Sequence, residues 1–318
     1  MTMTVALVFP GQGSQSLGML NSVTGEHPVV RATVDEASAV LGYDLWERMA
    51  SGPEALLNAT ECTQPAMLVA GVATYRLWLA LGGAAPAMVS GHSLGEFTAL
   101  VCAGVLAYAE AVALVRQRGA LMQAAVPSGS GAMAAILGLD DAAVEAACAA
   151  AAAGEVVEAV NYNAPGQIVI AGQRAAVERA VALAKAAGAK RAVTLPVSVP
   201  AHSSLMRAAA AQLSGCLDKL SFRRPNCTYL SAVDGQAHAE AADIRSLLVR
   251  QLASPVRWSQ TVQALCSGGA QALYECGPGK VLTALNKRIV PRDTVACAAL
   301  VDGASIRAAI AGPQATGS

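Results

Sequence analysis

The reading of this chain turns on AMVSGHSLGEFTALVCAGVL, residues 87–106. AMVS at 87–90 is a short apolar run of strand length, and the residues from Leu94 to Leu106 read as a helix. Between them, GHSLG at 91–95 sets a serine two positions from a glycine on either side. A strand, a sharp turn and a helix in that order form a nucleophile elbow. The glycines leave room for the turn. Ser93 then stands at a helix N-terminus, where backbone N–H groups and the helix dipole favour developing negative charge. The N–H of Leu94 is the natural oxyanion donor. A GxSxG pentad also occurs in ordinary turns, so the flanking strand and helix carry the argument.

Outward from the elbow, short apolar runs alternate with Ala-rich helical stretches, the pattern of an α/β protein. Residues 4–8, 87–90 and 271–275 read as buried strands, each followed by a glycine-containing turn. The middle of the chain differs. AMAAILGL reads as a strand and DDAAVEAACAAAAAG as a helix capped by Asp140. VVEAVNY, a turn at Asn163–Gly166 and QIVIAG read as a hairpin. A helix over 174–187 closed by Gly188 and a strand RAVTLPV complete a β-α-β-β-α-β order, which is ferredoxin-like. The expected division is a large α/β-hydrolase-like domain, residues 1–127 and 199–318, with a small ferredoxin-like domain, residues 128–198, inserted into it. VPSGSG at 126–131 is the entry linker, and the tail after Ile310 is expected to fray.

A serine hydroxyl needs a base within hydrogen-bonding reach. The chain has four histidines. His92 adjoins Ser93 and should point away from it, while His27 and His238 lie in polar, loop-like stretches. His202, in LPVSVPAHSSLM, follows the last strand of the inserted domain and comes after the nucleophile in the chain, as the base does in α/β-hydrolases. By position alone a histidine here is more often structural.

Composition excludes several classes. The chain has 22 basic and 22 acidic residues, a net charge of zero, and no long run of either sign, so no nucleic-acid or anionic-membrane surface is expected. Mean hydropathy is +0.44, and residues 77–95 carry no charged side chain. Gly82, Gly83 and Pro86 interrupt that stretch where a membrane-spanning helix would have to continue. The N-terminal apolar run stops at Pro10 with no cationic segment before it, so a cytoplasmic protein is expected. Eight cysteines without a CxxC pair read as buried free thiols, and no metal site is expected. GQGSQS at 11–16 lacks the third glycine of a dinucleotide loop, and ECGPGKV lacks the P-loop spacing.

FPGQGSQ (9–15), TQPA (63–66), GHSLGEF (91–97), RGALMQ (118–123), NAPGQ (163–167), VPAHS (199–203), QL..PV.W (251–258) and E.GPG..L (275–282) stand in an order that resembles the malonyl-CoA:acyl carrier protein transacylases of bacterial type II fatty acid synthesis. The resemblance spans nearly the whole chain. It implies Ser93 as the acylated nucleophile, His202 as general base and the main-chain carbonyl of Gln251 as the group that orients the histidine. It implies Gln12 and Leu94 as oxyanion donors, Arg118 as the ligand of the malonyl carboxylate, and Asn161 or Asn163 on the pocket wall. No cofactor is implied. The implied partners are malonyl-CoA and an acidic acyl carrier protein, met by a monomer through a local basic patch for which Lys185, Lys190 and Arg191 are candidates. Two positions depart from the family: Ala201 stands where relatives often carry serine, and Phe97 where tyrosine is common. The first loosens the expectation of malonyl over methylmalonyl.

Competing readings are a serine thioesterase or esterase on the same elbow, a transacylase of a polyketide or malonate-decarboxylase system, and a non-catalytic subunit that keeps the fold. An esterase needs no buried arginine, so Arg118 on the apolar face of its helix separates the first from a malonyl transferase. Intact Ser93, His202 and Arg118 speak against the last.

Overall fold

The computed structural model describes residues 3–197, 199–291 and 294–312, and the expectation for the final residues falls outside these. It is a mixed α/β fold with ten strands in two sheets. In chain order the strands are β1 (Val5–Phe9), β2 (Met88–Gly91), β3 (Gly131–Leu137), β4 (Val157–Ala164), β5 (Gln167–Gln173), β6 (Arg191–Thr194), β7 (Thr228–Leu230), β8 (Ala237–His238), β9 (Ala272–Cys276) and β10 (Ala296–Leu300).

The larger sheet has the order β10-β9-β1-β2-β7-β8 and is parallel except for β8. Because helices cover both faces, its central strands read as unbroken apolar runs. Successive β1 side chains enter different clusters: Leu7 and Phe9 pack on one face of the sheet, Ala6 and Val8 on the other. Each wholly buried aliphatic or aromatic side chain of this kind contributes about 1.5–3 kcal/mol. The register sets Phe9 beside Gly91, so the loops leaving β1 and β2 emerge together at the carboxyl edge of the sheet.

The smaller sheet has the order β4-β5-β3-β6, with every pair antiparallel. Helices Asp141–Ala151 and Arg174–Ala186 cover one of its faces, where Ala134, Ile136, Ile168 and Ile170 pack against Val144 and Val177. Met133 and Val169, of opposite parity, point to the other face with Leu195 and Val197. On its free edge β4 exchanges hydrogen bonds with Val256, which joins the two layers: Tyr162 N–H donates to Val256 O at 2.9 Å and Val256 N–H to Val160 O at 2.9 Å.

Three element ends differ from the sequence expectation. The helix after the elbow is Gly95–Cys102, not a run to Leu106. Gly104 takes φ +74°, and the N–H groups of Gly104 and Val105 return to Val101 O and Leu100 O, a Schellman termination that only a left-handed residue permits cheaply. β4 runs through Asn163 to Ala164, so the hairpin turn shrinks to Pro165–Gly166. β6 stops at Thr194, two residues before Pro196, which has no N–H for a ladder. Asp140 caps its helix as expected, accepting from Ala143 N–H at 2.8 Å. Among the described residues no helix is long and apolar enough to cross a membrane; residues 77–95 are divided between the end of helix Thr60–Ala80 and strand β2.

Candidate active site

Ser93 sits at φ +53°, a conformation non-glycine residues seldom occupy. The close crossing of strand and helix imposes it. A Cβ at Gly91 would fall 2.0 Å from the Gly95 carbonyl carbon, and one at Gly95 would fall 1.9 Å from Phe9 O. Glycine at both positions lets the helix start directly against the ends of β1 and β2. The serine Oγ is thereby lifted out of the turn, towards residues from three other parts of the chain.

His202 meets it. Its Nε2 lies 2.8 Å from Ser93 Oγ and its Nδ1 lies 2.8 Å from the main-chain oxygen of Gln251. A carbonyl oxygen only accepts, so Nδ1 carries the proton and Nε2 offers its lone pair to the serine hydroxyl. Gln251 closes helix Ala241–Gln251, whose last carbonyls have no partner within the helix. The ring takes the carbonyl of Gln251, and the His202 backbone N–H takes that of Leu252 at 3.1 Å. His202 is itself held at φ +66°. The negative end of the helix dipole favours an imidazolium here, which offsets the lack of a carboxylate in the usual third position.

Burial pushes the His202 imidazole down to about 3, with the Arg118 guanidinium adding to the shift. A base works in its neutral form, so a lowered pKa extends activity towards acid instead of cutting it off at the ordinary histidine midpoint near 6.5. Acylation by acetyl-pantetheine, a thioester with no titrating group, should keep a flat kcat/KM as pH falls from 8 through 6.5 to about 5. A midpoint near 6.5 in that profile would show an ordinary, solvated histidine acting as base.

Arg118 comes from helix Tyr108–Ala124 and is 1% exposed. Gly119 brings this helix against the start of Thr60–Ala80, since a Cβ there would be 2.7 Å from Thr60 O. That approach puts Gln64 Oε1 2.9 Å from one terminal guanidinium nitrogen, which donates to it. The other donates to Gln251 Oε1 at 2.9 Å and to Ser93 Oγ at 3.2 Å. The Phe97 ring lies beneath the guanidinium, 5.4 Å from its central carbon to the centroid, so phenylalanine in place of tyrosine keeps the π face. Burial lowers the Arg118 pKa to about 9, leaving it a cation at neutral pH. Among the described residues its Nε–H is buried without a partner.

These groups open into a cleft of about 530 Å³, within the usual range for small-molecule sites. Gln12, Leu94 and Asn161 line it with Ser93, Arg118 and His202. Gly11 allows the loop after β1 to lie on the elbow, where a Cβ would be 2.5 Å from His92 O. Gln12 and Leu94 both line the cleft, and their backbone N–H groups donate to no acceptor among the described residues. The smaller sheet supplies the facing wall through Met133 and Asn161, continued by Val197 and Ala201. Asn163 is not among the residues that line the cleft: its Oδ1 lies 2.8 Å from Nε2 of His92, which does line it and whose ring packs on Trp258. Register irregularities in β4 on both sides of Asn161–Tyr162 send the two asparagines to different places.

Sequence reasoning missed Gln64 and the side chain of Gln251, the two amides that grip Arg118. Gln64 lies inside the TQPA motif, but its aim depends on how two helices pack.

A family model described as the acyl transferase domain matches residues 6–307. The chain is 54% identical to the malonyl CoA-acyl carrier protein transacylase of Escherichia coli (strain K12) over 305 residues, 96% of this chain and 98% of that one. Its fold is similar to the crystal structure of an acyl carrier protein S-malonyltransferase from Vibrio cholerae, with a TM-score of 0.93 and 53% identity over 96% of this chain and 99% of that chain. It is also similar to a malonyl-transacylase in complex with a type II PKS acyl-carrier protein, with a TM-score of 0.95 and 51% identity over 97% and 99% of the two chains. A match of this extent leaves little of the molecule outside it, and the chain belongs to the acyl transferase domain family.

Proposed function

We propose that the protein transfers the malonyl group of malonyl-CoA to the phosphopantetheine thiol of an acyl carrier protein, supplying fatty acid synthesis by a ping-pong route through a malonyl ester on Ser93. Ser93 Oγ attacks the thioester carbonyl as its proton passes to His202 Nε2. The N–H groups of Leu94 and Gln12 receive the oxyanion. The tetrahedral intermediate collapses, the C–S bond breaks, and CoA leaves as the thiol with the proton held by His202. The carrier thiol then gives its proton to His202 and attacks the malonyl ester, and Ser93 recovers the proton as it departs.

The division of the molecule supports this reading. The larger sheet carries the elbow in the manner of an α/β-hydrolase domain, residues 1–127 and 199–318. The smaller sheet, with its β-α-β-β-α-β order, acts as an inserted ferredoxin-like domain, residues 128–198, that walls the cleft from the other side. We assign the protein to the cytoplasm as a monomer, a reading supported by the way Ser93, His202, Arg118 and Gln251 meet within the one chain. For the carrier we assign the exposed edge where Lys190 and Arg191 stand with Arg288 around a second groove of about 540 Å³; Lys185 lies outside that groove.

The observation that carries the substrate class is Arg118. A wholly buried guanidinium 3.2 Å from the nucleophile, with an Nε–H unpartnered among the described residues, is built for an anion on the acyl group. It can grip a carboxylate through two hydrogen bonds, whereas an acetyl group gives it nothing. Truncating one partner of a desolvated charge pair costs about 2–5 kcal/mol, or on the order of 30- to 5,000-fold in kcat/KM. Arg118→Ala should therefore depress malonyl transfer by that factor while acetyl transfer holds steady or rises. An equal loss with both thioesters would make Arg118 a support of the fold or of CoA and would remove the basis for the malonyl reading.

A further inference from the structure

Glu96 lies three residues beyond Ser93 and is 0% exposed. Two side chains hydrogen-bond its carboxyl: the Tyr229 hydroxyl at Oε1 and Gln251 Nε2 at Oε2, 2.5 Å away. Burial raises the Glu96 pKa above the ordinary carboxylate value, and these hydrogen bonds oppose the rise. Gln251 Nε2 can only donate, so Glu96 Oε2 is its acceptor.

The Gln251 amide links this carboxylate to the active site. Its Nε2 donates to Glu96 and, at 3.0 Å, to the main-chain oxygen of Ser93, while its Oε1 accepts from Arg118 at 2.9 Å. An amide has two chemically unlike ends that exchange places on rotation. Facing two acceptors, the NH₂ end is pinned inward, so the oxygen must face the guanidinium. With no acceptor at position 96 only the Ser93 main-chain oxygen holds that end, and an amide that turned would set its NH₂ against the donors of Arg118. Among the described residues Arg118 forms no direct ion pair.

We infer that Glu96 is the positioning residue of the acyl-carboxylate site: its buried carboxyl oxygen fixes the direction of the Gln251 amide, and that amide seats Arg118 for substrates with a free carboxylate. This rests on the reading of Arg118 as the malonyl ligand. The histidine is held by the main-chain carbonyl of Gln251, which does not move with the side-chain amide. Glu96 therefore governs which acyl group is taken, and leaves the serine-histidine pair intact.

A guanidinium displaced by about an ångström lowers turnover by up to about 100-fold. For Glu96→Leu, which removes the acceptor that a glutamine would keep, we expect malonyl kcat to drop about 10- to 100-fold with KM little changed. Acetyl kcat/KM should stay within about 3-fold, the scale of a change that leaves the acting groups in place. Gln251→Leu should lower malonyl kcat at least as far, and the double variant should be no worse than Gln251→Leu, because both act through one link. Circular dichroism checks folding; if Glu96→Leu does not fold, Glu96→Asp, which withdraws the carboxyl by one methylene, should show the same selective loss. Equal losses for malonyl and acetyl with the Glu96 variant, a loss wholly in KM, an unchanged malonyl kcat, or additive losses in the double variant would each overturn the assignment. A wild-type protein with no preference for malonyl over acetyl would instead sink the reading of Arg118 beneath it.

Discussion

Ser93→Ala takes up no malonyl group when incubated with malonyl-CoA, whereas the unaltered protein gains one malonyl mass. The expected loss of transfer is on the order of 10⁶-fold, the scale seen when a serine nucleophile is removed from a site that keeps its other groups. The reason is geometric. Ser93 Oγ is the hydroxyl that sits both 2.8 Å from a neutral imidazole nitrogen and 3.2 Å from a buried guanidinium. The substitution should leave the fold unchanged, because alanine and serine bear the same strain at φ +53° and the elbow is set by Gly91 and Gly95. Intact-mass measurement after a short incubation decides it. An adduct of undiminished yield in the alanine variant would put the acyl group elsewhere and dismantle the proposed mechanism.

His202→Ala is the second large effect: acylation slows by roughly 10²- to 10⁴-fold, the usual contribution of a positioned general base. Two jobs are lost together, proton removal from Ser93 and proton delivery to the departing thiol. The backbone N–H of residue 202 still reaches Leu252 O, so the loop stays tied to the end of helix Ala241–Gln251. Combining this variant with Ser93→Ala should cost no more than Ser93→Ala alone, since the two side chains act as one unit. Rapid-quench acylation rates with circular dichroism as a folding control provide the check. Acylation at the unaltered rate would mean that the imidazole only packs.

The two largest effects fall on residues that were legible before any coordinates. The elbow at 91–95 follows from local chemistry: a short apolar run, two glycines and a helix start constrain the backbone within a few residues, whatever the rest of the chain does. Strand existence is equally local where burial is complete, as in β1, β2 and β9. Element ends were less legible. The apolar run after Ser93 continues to Leu106, but Gly104 turns the helix off after Cys102, and hydrophobicity does not encode that φ.

By itself the sequence determined the α/β class, the serine, the order of strands and helices in the middle segment, and His202 and Arg118 as the candidates to act with Ser93. The first three depend on residue type and on spacing along the chain, and the parts of His202 and Arg118 on the motifs that resemble the transacylases. Tertiary structure alone decided the partners of those residues. His202 and Ser93 are 109 positions apart, and Gln251 is 133 from Arg118 and 155 from Glu96. It also sent Asn161 into the cleft and Asn163 against His92, through irregularities in the β4–β5 ladder that residue type does not signal. Buried polar groups must find partners wherever packing places them. Which amide turns its oxygen to Arg118 is therefore settled when helices Thr60–Ala80, Tyr108–Ala124 and Ala241–Gln251 come together, since no short stretch of chain contains more than one end of any of those hydrogen bonds.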